Sequence, residues 1–381
     1  MTRRICVWNG KRGGFGALAP TMEAIEESPD LSLQLVITDQ HLYDRFGKTV
    51  TEVEARFPVA AAIDMQQEGD SNEDRARAVG RCLTKAAGVL AELRPDILLV
   101  IGDRGEVFAA CIAAHNMRVA IAHVQGGDIS GSLDEPVRHA ITKLAHLHFP
   151  STHASADRII AMGEEQWRVH VVGDTHIDQV FLGDITPEAD LRSVYALPDD
   201  GPFLLVLQHS DSTVPDMAAE QMAETVAAVS ATGLRALLVY PCSDQGFEGI
   251  ISEIEKASGT PNISIHRNIP APDFIGLEKL ATCIVGNSSA ALIEAPYFGL
   301  PSVNVGERQK GRERAANVMD AGYDRHAIQA AIERAISDSA FRQSLATVQP
   351  PFGDGNAYRC ITEVLETVAV DEKLLNKRMT Y

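Results

Sequence analysis

The sequence predicts an α/β protein with two Rossmann-like halves facing a cleft. Two series of short β-rich runs alternate with longer helical patterns, which implies βαβ units and parallel sheets. A stretch rich in Pro, Asp and Gly, "FLGDITPEADLRSVYALPDDGP" at 181–202, lies between the series and lacks a strong strand, so it reads as a connection. At 381 residues the chain is too long for one ordinary core.

In the first series the expected strands are "RICVW" (4–8), "LQLVIT" (33–38), "DILLVIG" (96–102), "RVAIAHV" (118–124) and "VHVVG" (169–173). Helices are expected over 75–93 and 106–116. The second series has strands "FLLVL" (203–207), "RALLVY" (235–240), "ISIH" (263–266), "CIVG" (283–286) and "PSVNV" (301–305). Its helices include Asp216 to Ala231 and Ser289 to Phe298. The expected division is 1–180 for the first domain, rejoined by a C-terminal helix over 356–381, and 181–355 for the second.

Composition excludes several classes. A net charge of −18 repels phosphate backbones, so no nucleic-acid or membrane-surface partner is expected. No apolar run is long enough to cross a bilayer, and the N-terminus turns to glycine too soon for a signal peptide, so the expected compartment is the cytoplasm. The six cysteines form no CxxC pair and read as reduced thiols in or near cores.

In open α/β sheets, chemistry collects where strands run into helices. "HVQGGDISGSLDEPVRHAITKLAHLHF" (123–149) is one such junction. Gly126 and Gly127 permit a tight turn, and Ser132 to Glu135 matches a capping box before a helix with apolar face Val137, Ile141, Leu144 and Leu147. Capping and a solvated face account for much of this stretch; its acids can also serve chemistry. His139, His146 and His148 lack the i, i+4 pairing of a helical zinc site.

Four more junctions read alike. "NGKRGGFGALAP" (9–20) offers backbone N–H groups and the fixed charge of Arg12 for a phosphate or carboxylate. "IGDRGE" sets Asp103 just past a strand, as an N-cap or a cleft carboxylate. "LQHSDS" sets His209 past another, and "VGNSSAALIEAP" starts a helix at Asn287, Ser288 and Ser289, with Glu294 deeper along it. Hydroxyls and N–H groups there suit a diphosphate, and a glutamate at that depth suits ribose hydroxyls. "VGERQKGRERAANV" adds Arg308, Lys310, Arg312 and Arg314, either a solvated face or the neighbourhood of a phosphate.

Read together, "GKRGGFG", "IGDRGE", "DEPVRHAITKLAHLHF", "VGDTHID" and "GNSS…GERQKGR" resemble the UDP-N-acetylglucosamine 2-epimerases over essentially the whole chain. The similarity is to the hydrolysing branch, which makes precursors for sialic and legionaminic acid synthesis. The resemblance implies a two-domain fold of the glycosyltransferase-B type, with nucleotide on the C-terminal half. It implies a nucleotide-sugar substrate, no cofactor, no metal and a homo-oligomer, dimer or tetramer. Arg12 would lie near the diphosphate, Ser288, Ser289 and Glu294 would hold diphosphate and ribose, and Arg308 and Arg312 would add positive charge.

The implied reaction removes the C2 proton and expels UDP from C1, giving a 2-acetamidoglycal, then adds water with inversion at C2. Asp103 and Asp134 are the candidate acid/base groups, and Arg12 and His209 the candidate leaving-group stabilisers. Two departures stand out. Gln125, a further candidate that with Asp134 would face the bound sugar, occupies a position where many members carry a glutamate implicated in proton transfer, and an amide cannot accept that proton. Gly13 and Gly14 replace a bulkier, acid-containing pair. Alternatives are a non-hydrolysing 2-epimerase, a glycosyltransferase of the same fold and an inactive nucleotide-sugar sensor.

Overall fold

A computed structural model describes residues 2–183 and 185–381 and divides into two compact units. The first comprises the chain up to Ile129, Leu133–Leu182 and Phe352–Tyr381; the second comprises Ser130–Ser132 and Gly183–Pro351. Residue 184, inside the expected connection, lies outside the described residues.

The first unit holds strands β1 (Arg3–Asn9), β2 (Leu31–Thr38), β3 (Val59–Ile63), β4 (Ile97–Ile101), β5 (Ala120–Val124) and β6 (Leu147–Phe149). They pair in parallel in the order β3-β2-β1-β4-β5-β6. The helices between and after them are α1 (Arg12–Glu27), α2 (Val50–Glu54), α3 (Asn72–Leu93), α4 (Gly105–Asn116), α5 (Asp134–Leu144), α6 (His153–Ala161) and α7 (Thr175–Leu182). Alternate residues feed opposite cores: Ile5, Val7 and Leu99 join one cluster, Cys6, Trp8, Leu98 and Val100 the other. Burial on both faces is why "ILLVI" is apolar without interruption.

The second unit repeats the plan. Its helices are α8 (Glu188–Val194), α9 (Ala218–Ala231), α10 (Phe247–Lys256), α11 (Ala271–Leu280), α12 (Ala290–Ile293), α13 (Arg325–Ser337) and α14 (Ser339–Ser344). Strands β7 (Phe203–Leu207), β8 (Arg235–Val239), β9 (Ile263–His266), β10 (Cys283–Gly286), β11 (Ser302–Val305) and β12 (Val318–Ala321) run in the order β12-β11-β10-β7-β8-β9. Renumbered from its own first strand, this is the order of the first sheet.

The end of the chain returns to the first unit as α15 (Ala357–Thr367) and α16 (Glu372–Leu375), two helices where one was expected. Ala357, Ile361 and Leu365 join the core that contains Leu18 and Met22 of α1. The Asp178 carboxylate accepts from the N–H groups of Ala357 and Tyr358 at 2.8 and 2.7 Å, closing the start of α15. Lys377 Nζ donates to the carbonyls of Thr142, Lys143 and Ala145 at 3.1, 2.9 and 2.6 Å and pairs with Glu164 at 2.6 Å. It thereby closes the C-terminal end of α5.

Several expectations are corrected. The segment 169–173 is no strand; Val169 makes an isolated bridge to His148. Strands β3, β6 and β12 were not expected. Leu147 belongs to β6 rather than to the helix face, because α5 stops at Leu144. The N-cap position of α5 is Leu133 rather than Ser132, and it makes no side-chain cap bond. The helix expected over 289–298 is the four-residue α12 followed by a tight turn at Ala295–Phe298. Of the cysteines, Cys6, Cys82, Cys111 and Cys283 are buried, Cys242 is half-buried and Cys360 is exposed.

One backbone position governs the second unit's junctions. Gly286 ends β10 with φ +131°, and a Cβ there would run into the Leu207 carbonyl oxygen at the end of β7. Both the dihedral and the contact forbid a side chain. Gly286→Ala is expected to cost more than about 3 kcal/mol, measured by urea unfolding followed by far-UV circular dichroism; an unchanged midpoint would contradict this close approach.

Candidate active site

The loop after β1 in the first unit rests on buried charge. Asp39 and Glu106 are 1% and 0% exposed and are held by Arg75 and Arg104: Arg75–Glu106 is 2.6 Å, Arg104–Glu106 3.0 Å and Arg104–Asp39 3.3 Å. Burial alone would raise the Glu106 carboxyl, but Arg104 and Arg75 hold it below its ordinary range. The Gln40 N–H donates to the Gly10 carbonyl at 3.1 Å, tying the β2 end to the glycine loop. Arg12 opens α1 here. Burial and then the Arg12 charge push the neighbouring His41 imidazole down to about 4, so His41 is neutral at pH 7. The sequence reading selected Asp103 from "IGDRGE" and passed over Arg104 and Glu106.

Asp103, just past β4, forms an ion pair with Arg138 of α5. Arg138 is 2% exposed and also donates to the Asp128 carbonyl at 2.7 Å, while the Ser155 hydroxyl donates to the Asp128 carboxylate at 2.6 Å. Asp134 is the first residue of α5, four residues before Arg138. The structure therefore links Asp103 to the same helix that carries Asp134. Arg138 was missed because a single arginine in an amphipathic helix reads as surface.

Gln125 follows β5 with φ +63°, and its side chain is committed inward. Its amide Nε2 donates to both oxygens of Asp174, at 2.9 and 3.0 Å, and lies 3.0 Å from His176 Nδ1. His123, His146 and His148, within the 123–149 stretch, are buried and driven down by burial to about 3, 4 and 4. They are core histidines. Among the described residues no group of three or more His, Cys, Asp or Glu side chains is arranged to hold a metal ion.

In the second unit the ends of β7, β8, β10 and β11 bring a polar set together. Asn287 bridges the junctions: its Oδ1 accepts from the His209 N–H at 2.7 Å, its Nδ2 donates to the His209 carbonyl at 2.9 Å, and its carbonyl accepts from Arg308 at 3.2 Å and Gln309 at 2.8 Å. The Cys242 N–H donates to His209 Nδ1 at 3.1 Å. A neutral His209 then carries its proton on Nε2, which makes the far side of the ring a donor. The Cys242 thiol lies 3.2 Å from the same Nδ1 and donates to Asp244 at 3.0 Å, and Asp244 pairs with Arg308 at 3.2 Å. Cys242, Asp244 and Gln309 had no signal in isolation.

Ser288 is buried and Ser289 half-buried at the start of α12. The basic run divides. Arg308 turns to Asn287 and Asp244, and Arg312 donates to Gln309 at 3.1 Å. Lys310 pairs with Glu307 at the surface and Arg314 with Asp320, so these two form a solvated face.

Glu294 is 9% exposed and its charge acts on Glu278 of α11, which is 1% exposed with neither carboxylate oxygen hydrogen-bonded. Burial and then the Glu294 charge lift the Glu278 carboxyl well above its ordinary range. A folded-state pKa above the unfolded one leaves stability intact at low pH and lowers it as pH rises past the unfolded value. Glu278→Gln is therefore expected to raise the thermal midpoint at pH 8 by several degrees and to do little at pH 4, checked by calorimetry at both; a gain that is equal at the two pH values contradicts it.

The family model described as UDP-N-acetylglucosamine 2-epimerase matches residues 23–366. A UDP-N,N'-diacetylbacillosamine 2-epimerase (hydrolyzing) of Legionella pneumophila is 31% identical over 382 aligned residues, covering 100% of both chains. A UDP-N-acetylglucosamine 2-epimerase of Neisseria meningitidis serogroup B is 30% identical, covering 90% of this chain and 89% of that protein. In fold, the chain is similar to the crystal structure of UDP-GlcNAc 2-epimerase from Neisseria meningitidis bound to UDP-GlcNAc, with a TM-score of 0.81, 19% identity and 95% and 99% of the two chains covered. The two Rossmann-like units are thus of the glycosyltransferase-B type. A family match across nine-tenths of the chain, together with the full-length similarity to the Legionella protein, means that this chain belongs to the UDP-N-acetylglucosamine 2-epimerase family.

Proposed function

We propose that the chain is a hydrolysing 2-epimerase that converts a nucleotide-linked 2-acetamido sugar, UDP-N-acetylglucosamine or a diacetamido analogue, into the free 2-epimer and a nucleoside diphosphate. The observation that carries this reading is the end-to-end similarity to a relative whose name specifies hydrolysis. The first unit, residues 1–180 with 356–381, would act on the sugar, and residues 181–355 would hold the nucleotide.

The residue types suit the roles. Arg12 opens a helix behind a glycine loop, where a guanidinium and the backbone donors of a helix start favour a diphosphate. His209, with Nδ1 occupied by the Cys242 N–H, offers an Nε2 donor to oxygen charge that grows as the C1–O bond breaks. Arg308 and Arg312 add positive charge in an otherwise acidic chain, Ser288 and Ser289 offer hydroxyls to the diphosphate, and Glu294 serves the ribose. Asp103 or Asp134 would take the C2 proton while the electron pair of the C1–O bond leaves with the diphosphate. Gln125 accepts no proton; in this chain its amide serves Asp174.

The reading is tested with UDP-N-acetylglucosamine in D2O, followed by proton NMR, with the diacetamido and GDP-linked sugars run in parallel. Free sugar with deuterium at C2 and released nucleotide is the expected result for at least one of them. An epimer that stays on the nucleotide would make the enzyme non-hydrolysing, and release of nucleotide only with an added acceptor would make it a transferase.

A further inference from the structure

Asp174 is 1% exposed and receives more than a structural turn requires. Its Oδ1 accepts from the His176 N–H at 3.0 Å, which is an ordinary bond at the start of α7. Beyond that, the Ser151 hydroxyl donates to Oδ2 at 2.8 Å, the Gln125 amide donates to both oxygens, and His176 Nδ1 lies 2.8 Å from Oδ1. Burial alone would raise this carboxyl, but the His176 charge and hydrogen bonds and the Ser151 hydroxyl bring it down to about 2, so it is an anion at neutral pH. An anion at 2.8 Å makes Nδ1–H the donor and turns Nε2 into the acid/base end of the ring. This is the carboxylate–imidazole arrangement that fixes ring orientation and stabilises an imidazolium.

The set stands where the chemistry is. Gln125 directly follows β5, Ser151 follows β6, and Asp103 follows the neighbouring β4. Other histidines of this unit do not match it. His123 and His148 are sealed at 0% exposure, His146 is buried at 5%, and burial lowers His139 and His170. The His176 side chain keeps 12% exposure and an ionised brace. Gln125 also gains a reason: a glutamate there would set a second carboxylate against Asp174, whereas the amide supplies two donors.

We propose that His176, braced by Asp174, is the acid/base residue of the hydration half of the reaction, a role that rests on the hydrolysing reading above. Elimination calls for a carboxylate base, which Asp103 and Asp134 supply. Inversion at C2 calls for a second proton donor on the face opposite the carboxylate that took the C2 proton, and an imidazolium can supply it. The imidazolium gives its Nε2 proton to C2 of the glycal, the C1–C2 π pair becoming the C2–H bond. The ring oxygen supports the electron-poor C1, a water oxygen bonds to C1, and the water's proton returns to Nε2. Glycal plus water gives free sugar, and the imidazolium is restored.

The test is a single turnover of excess enzyme with UDP-N-acetylglucosamine, comparing wild type with His176→Asn. The asparagine retains a donor for Asp174 and removes the outer nitrogen, and UDP affinity by calorimetry confirms the folded state. His176→Asn is expected to release UDP within about 3-fold of the wild-type rate while free sugar forms about 10²–10⁴-fold more slowly and the 2-acetamidoglycal accumulates. Added 2-acetamidoglycal is expected to be hydrated by wild type and not by the variant. Free sugar formed at the wild-type rate would overturn the assignment, as would equal loss of UDP release and hydration. A second variant, His176→Gln, applies the same criteria if the first does not bind UDP. If wild type itself releases no UDP from any of the tested nucleotide sugars, the hydrolysing reading falls and this inference with it.

Discussion

Both sheets reverse their winding at one place, and the site residues depend on that reversal. In the order β3-β2-β1-β4-β5-β6 the chain winds outward from β1 in one direction and then, after β3, returns to lie against β1 on its other side as β4. Loops leaving β1 and β4 must therefore diverge, which opens a crevice at their carboxyl ends. Arg12 and Asp103 are the residues that these two loops present. The second sheet reverses between β7 and β10, and the loops leaving those strands carry His209 and Asn287. The same topology, used twice, supplies two sets of convergent polar groups from elements that are distant in sequence.

What lies beneath each crevice differs. The first unit uses ionic pairing: two buried acids against two arginines under the glycine loop, and Asp103 against Arg138 beside it. Burying such charges is tolerable only when each is matched, and the matching fixes loop positions that apolar packing would leave loose. The second unit uses an amide. Asn287 satisfies the backbone of His209 on one side and two side chains from the loop after β11 on the other, with Gly286 removing the side chain that would hold β7 and β10 apart.

The buried parallel strands were legible because residues covered on both faces form unbroken apolar runs; 203–207 and 283–286 were read with the boundaries they have, as was the half-buried 263–266 from its alternating isoleucines. The strands that escaped lack that property. "VAAAI" is half-exposed, "VMDA" carries an acid, and "LHF" follows α5 after two residues and holds a histidine. In the reverse case, "VHVVG" looks like a strand but runs into Gly173 and Asp174, where the chain turns to start α7. At the sites, residues just past strand ends were legible one at a time, since their place follows from the strand. Their partners were not: Arg138 meets Asp103 across 35 positions, Cys242 meets His209 across 33, and Asp174 meets Gln125 across 49. No local pattern encodes such pairs.

Lys377 gives the first unit an unusual place in time. Its ammonium closes three carbonyls at the end of α5, the helix of Asp134 and Arg138, from 232–235 residues further along the chain. A ribosome adding about 5–20 residues per second needs roughly 10–50 s to cover that interval. During it the whole of 183–351 is synthesised, while the end of α5 still lacks this ammonium. The first unit to begin is thus the last to be completed, and the helix that carries Asp134 and Arg138 reaches its final setting only after residues 183–351 have been made.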